Sequence, residues 1–190
     1  MYYSANPKRF FMPRLDKSTK EQISSLSYSE LKEIVLKLAS KDKMVYEFVF
    51  VNYLDKSLGA KELFEKAKSD LDYLFRKGYK GYSQQLRLAN MLSACVKRIN
   101  EFVKVCKNIN YEVDLLMYVL DEVFSLPENT FGTCFTQFDS KVGVLLKRVI
   151  NVVAKKLHED YRMDYADQIN VYLKRLLCTS SHIDSIYNLP

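Results

Sequence analysis

After residue 26, apolar residues recur three and four positions apart along most of the chain, and that period dictates helices. Leu31, Ile34, Val35 and Leu38 make one stripe, and Leu63, Phe64, Ala67, Leu71, Leu74 and Phe75 a second. A third runs through Leu88, Leu92, Cys95, Val96, Ile99, Phe102, Val103 and Cys106. Turn chemistry is scarce: 5 glycines and 4 prolines in 190 residues are too few for a many-stranded sandwich or barrel. The expectation is an all-α fold of about seven helices joined as antiparallel hairpins, either an irregular HEAT-like stack or a compact bundle. With 48% hydrophobic and 27% charged residues, a chain of this length can bury a core without disulfides or metal.

Boundaries come from capping chemistry. Ser27 and Glu30 have the spacing of a capping box, in which the hydroxyl and the carboxylate each satisfy an orphan backbone N–H. This opens the first expected helix. A second starts with Asp42 as cap and turns Val45, Phe48, Val49 and Tyr53 inward. Gly59 precedes the third, which Gly78 and Gly81 close, and the fourth spans 83–107. The fifth, 111–124, is apolar nearly all round and therefore central. A sixth over 139–157 uses Val142, Leu145, Leu146, Val149, Val153 and Leu157, and a seventh over 160–177 is capped by Asp160. Residues 1–26 lack a helical period and read as a partly flexible basic leader, 27–178 as a single domain, and 179–190 as a tail. No fixed repeat of the tetratricopeptide or ankyrin type is present.

The run Leu-Ser-Tyr-Ser-Glu-Leu-Lys-Glu-Ile-Val-Leu-Lys-Leu-Ala from Leu26 to Ala39 leads into residues 55–75, with Ala60-Lys61-Glu62-Leu63. Together with Asp114-Leu115-Leu116 and Thr130-Phe131-Gly132, it resembles the pattern of an uncharacterised bacterial all-helical family, a domain of unknown function. That resemblance would cover about residues 26–175. It implies an all-helical fold and carries no activity or site residue with it.

Charge is unevenly placed. The net charge is +6, but residues 79–107 hold six basic residues against one acid, and 108–136 hold five acids and no Lys or Arg. One expectation is that these two neighbouring segments pack and neutralise each other. The other is that Arg87, Lys97, Arg98 and Lys104 form an outward basic surface that meets phosphates or an acidic protein. In the leader, Lys8, Arg9 and Arg14 flank Phe10 and Phe11, a composition suited to an aromatic anchor steered by charge.

Catalytic and metal motifs are sparse. There is no G-x-S-x-G elbow, P-loop or dinucleotide glycine fingerprint. The cysteines at 95, 106, 134 and 178 lack CxxC spacing and are expected to be reduced and mostly buried. Cys178 with His182, or Cys134 with His158, are conceivable Cys–His pairs. Asp160, Asp164 and Asp167 are expected to form a solvated face, and Tyr161, Tyr165 and Tyr172 a half-buried stripe. Phe131, Phe135 and Phe138 are expected mostly to close the core under a loop. No metal, cofactor or catalytic residue is assigned. With no long apolar run to span a membrane and no signal-peptide pattern, the sequence reads as cytoplasmic.

The functional expectation is a non-catalytic protein-interaction or adaptor module with a protein partner of unknown identity. Nucleic-acid binding through the leader and the 83–107 helix is the alternative, and an enzyme with a pocket between helices a third reading. Nothing in the sequence sets the oligomeric state.

Overall fold

A computed structural model of the chain describes residues 15–56 and 58–180. Eight α-helices and no strand are found among the described residues: α1 (Lys17–Ser24), α2 (Tyr28–Lys41), α3 (Lys43–Val49), α4 (Leu58–Arg76), α5 (Gln84–Val105), α6 (Ile109–Phe124), α7 (Gln137–Lys156) and α8 (Glu159–Thr179). The all-α expectation holds, with seven helices near their expected places and α1 in addition. None of the described helices is long and apolar enough to cross a membrane. The chain divides into two compact units, residues 1–46 and 47–190.

In the first unit, α1 lies where no helix was expected, because its signal is a cap and not an apolar stripe. The Asp16 carboxylate accepts from the Thr19 N–H at 2.9 Å, enough to start a short solvent-facing helix. The capping box of α2 forms as expected: Ser27 N–H donates to Glu30 Oε2 at 2.8 Å, and Ser27 Oγ accepts from the Glu30 N–H at 3.3 Å. Its apolar stripe forms on one face and is only partly covered. Leu31 is half-buried, but Ile34, Val35 and Leu38 are 43%, 44% and 50% exposed. Amphipathic spacing reports that one face is apolar, not that anything covers it.

The second unit is a bundle with α6 and α7 at its centre. Nine of the 16 residues of α6 and nine of the 20 of α7 are buried. Helix α7 packs against α5, α6 and α8, while α4 packs on α5. Leu63, Ala67, Leu71, Leu92, Cys95, Ile99, Phe102, Val142, Leu145, Leu146 and Val149 all turn inward as their spacing requires.

Between α3 and α4 the backbone widens into a π-helical turn, Phe50–Leu54, where Asp55 N–H reaches the Phe50 carbonyl at 2.8 Å. The extra residue per turn rotates the side chains that follow. Val51 is buried, and Tyr53, expected inward, is 69% exposed. Asn52 takes the inward place instead. Its amide donates to the Phe48 carbonyl at 2.8 Å and to the Val105 carbonyl at the end of α5 at 2.9 Å.

The loop after α6 is held by a polar lock. Gly132 has φ +69°, and a Cβ there would lie 2.3 Å from the Thr179 carbonyl oxygen, so only glycine lets the loop pass the end of α8. Its N–H donates to the buried Asp139 Oδ2 at 2.7 Å, and the Ser180 hydroxyl donates to the same oxygen. Arg175 sits over the Phe124 and Phe131 rings and donates to the Phe124 and Leu126 carbonyls, a cation at the C-terminus of α6. Phe131 and Phe138 are buried, and Phe135 is exposed. The loop therefore closes the core through two of its three rings.

Helix α8 begins at a different cap from the one expected. His158, not Asp160, is the N-cap, its Nδ1 accepting from the Asp160 N–H at 3.5 Å. An imidazole nitrogen one residue before the helix can reach the same orphan donors that a carboxylate would.

Candidate functional site

The four basic residues of α5 do not form one surface. Arg98 turns toward α4, where its Nε donates to Asp70 Oδ2 at 2.7 Å. Arg87 and Lys104 are exposed at separate points on the helix. Lys97 alone joins a built site, a groove of about 360 Å³ between α5 and α7. Both rows follow from helical spacing. On α5, Leu92, Ser93, Val96, Lys97 and Asn100 share a face, and on α7 so do Lys141, Val144, Leu145 and Arg148.

The floor of the groove is apolar. Leu92 and Leu145 are buried beneath it, and Val144 stands 70% exposed on its wall. The rim is cationic. Lys141 donates to the Ala89 carbonyl at 3.2 Å and to the Ser93 hydroxyl, so neutral oxygens hold it in place without cancelling its charge. Arg148 donates to Asn100 Oδ1 at 2.6 Å and to the buried Glu112 Oε1 at 2.8 Å. Among the described residues, Lys97 and Lys141 have no carboxylate partner. No single-helix reading of α5 could find this set, since half of it belongs to α7. The available signal was the spacing of Lys141, Val144 and Arg148, which puts two cations and a valine on one face.

The expected neutralisation of α5 by the acidic segment is not what forms. Glu112 pairs with Arg148 of α7. Asp114 and Asp121 instead accept hydroxyls from α8: Tyr165 donates to Asp114 at 2.6 Å, and Tyr172 donates to Asp121. Tyr118 of α6 donates in turn to Asp72 of α4. Burial, reinforced by the Asp121 hydrogen bond, pushes the Tyr172 phenol up to about 12. The hydrogen bond to Asp72, then burial, does the same for Tyr118. Burial and then Asp114 raise Tyr165. These carboxylates thus act as acceptors between helices, and Asp114 and Asp121 line a cleft of about 600 Å³ between α4, α6 and α8.

Of the expected tyrosine stripe, Tyr172 is buried and Tyr165 half-buried, while Tyr161 is exposed. Cys95 and Cys106 are buried, and burial lifts the Cys95 thiol to about 12. Cys134 and Cys178 are exposed, which corrects the expectation that the thiols are mostly inside. Among the described residues no group of three or more His, Cys, Asp or Glu side chains could hold a metal ion. Lys8, Arg9, Phe10, Phe11 and Arg14, and His182 of the tail, lie outside the described residues.

No family model, curated protein or solved structure matches the chain.

Proposed function

We propose that the chain is a protein-interaction module that seats an acidic amphipathic helix of a partner protein in the groove between α5 and α7. The observation that carries this reading is the pairing of an apolar floor with two rim cations, Lys97 and Lys141, that have no carboxylate partner among the described residues. An amphipathic helix lays its apolar face into such a groove, and flanking acids meet the rim. Val144 and Val96 supply the apolar contact, while Lys97 and Lys141 supply steering and register. The buried Glu112 behind Arg148 keeps that guanidinium fixed, so little order is lost when a partner docks.

The apolar floor favours this reading over nucleic acid. A phosphate backbone calls for a run of free cations on polar ground, but Arg98 is taken by Asp70, and Arg87 and Lys104 do not line the groove. The leader residues Lys8, Arg9, Phe10, Phe11 and Arg14 are proposed as a second contact for the same protein partner. Reduced, buried Cys95 and Cys106 fit a cytoplasmic setting.

The test is a fluorescence-anisotropy titration of the full chain with a helical peptide bearing Leu at i, i+4 and i+7 and Glu on both flanks. A single-stranded DNA oligomer is titrated beside it. The reading expects the peptide to bind and Val144→Glu to weaken it about tenfold or more, as loss of a central apolar contact does. Tighter binding of the oligomer, steeply salt-dependent and lost in Lys97→Glu, would transfer the site to nucleic acid.

A further inference from the structure

We infer that α2 is a self-association helix, pairing antiparallel with α2 of a second copy of this chain. Described residues 15–46 contain no buried residue, yet α2 is a defined four-turn helix with a complete capping box. A helix of 14 residues is marginal in water by itself and draws its stability from a covered apolar face. Here Leu31, Ile34, Val35 and Leu38 form that face, and three of the four are more than 40% exposed.

The charges beside the stripe identify the occupant. Glu30, Lys37 and Lys41 are spaced by seven and four residues, so all three lie along one flank. A two-fold axis perpendicular to a pair of antiparallel helices sets each flank against its own copy in reverse order. Centred on Ile34 and Val35, it brings Glu30 of each copy level with the span between Lys37 and Lys41 of the other. Glu30 has an oxygen to spare, because Ser27 uses only Oε2. The described part of this unit is also nearly neutral, with six lysines and five acids in 15–46, so two copies do not repel. The basic leader, by contrast, would set like charges against Lys37 and Lys41. One helix per copy is a small interface, which places the dimer in the micromolar range and not below it.

Sedimentation equilibrium of the full chain is expected to show a reversible monomer–dimer mixture. Ile34→Asp shifts it to monomer and costs at most the helical circular dichroism of α2, since the described core residues all lie beyond residue 50. Lys37→Glu with Lys41→Glu, which leaves the stripe intact, weakens the dimer several-fold, most at low salt. Direction is read by cross-linking, with Cys134 and Cys178 replaced by serine. Val35→Cys, next to the two-fold axis, forms a disulfide dimer. Tyr28→Cys does not, because antiparallel pairing holds the two positions about 20 Å apart. A monomer at every concentration, a dimer indifferent to Ile34→Asp, or equal linking through Tyr28→Cys would each overturn the inference.

Discussion

Helices α2 and α5 carry the same kind of apolar stripe, and the structure treats them oppositely. On α5, Leu92, Cys95 and Ile99 are wholly buried between α4 and α7, whereas Ile34, Val35 and Leu38 of α2 lie open. The spacing is equivalent, so the difference is not in the stripe. It lies in what surrounds each stripe: α5 has two long neighbours, and around α2 none of the described residues 15–46 is buried. A hydrophobic period thus specifies a face, and only complementary faces elsewhere make a core.

Mutations that truncate each face should separate the two regions most clearly. Phe138, fully buried in the second unit, should lose about 3–5 kcal/mol on Phe138→Ala, seen as a large drop in the urea midpoint. Removing the polar lock should cost less. Asp139→Ala strips acceptors from the Gly132 N–H and the Ser180 hydroxyl and should cost roughly 2–3 kcal/mol, with Asp139→Asn recovering part of it.

The tyrosine–aspartate contacts sharpen the comparison through pH. Tyr172 has a folded value of about 12 against an ordinary 10.0, so its contribution is complete below pH 10.0 and is lost as pH rises toward 12. Alkaline unfolding of the second unit should therefore flatten in Tyr172→Phe, by about 1–2 kcal/mol across that window. The smallest effect belongs to α2. Measured on dilute, monomeric protein, Ile34→Ala should change the midpoint by less than about 0.5 kcal/mol, as an exposed substitution does. A loss as large as that of Phe138→Ala would mean that the α2 stripe is covered within one chain.

Most of the fold was legible because helix periods and caps are local. The capping box at Ser27 and Glu30, the inward rows of α4, α5 and α7, and the central place of α6 all follow from spacing within one segment. What was not legible depended on other segments or on non-standard turns. The π-helical turn moved Tyr53 outward, because no local pattern announces an extra residue per turn. Arg98 left the basic surface for Asp70, 28 residues earlier, and Lys97 gained Lys141 and Arg148 from α7. One residue in four of the expected basic set thus survives at the groove, and the other two rim cations, Lys141 and Arg148, come from α7, which holds five basic residues against one acid. The acidic segment met tyrosines in place of lysines for the same reason: hydroxyls are invisible to a count of charge.

The most direct test of the groove is a titration of the acidic amphipathic peptide into 15N-labelled protein, followed by NMR. Shift changes are expected to cluster at Ser93, Val96, Lys97, Lys141, Val144 and Arg148, and to vanish in Val144→Glu. Changes centred on Arg87 and Lys104, or confined to residues 28–41, would contradict the account.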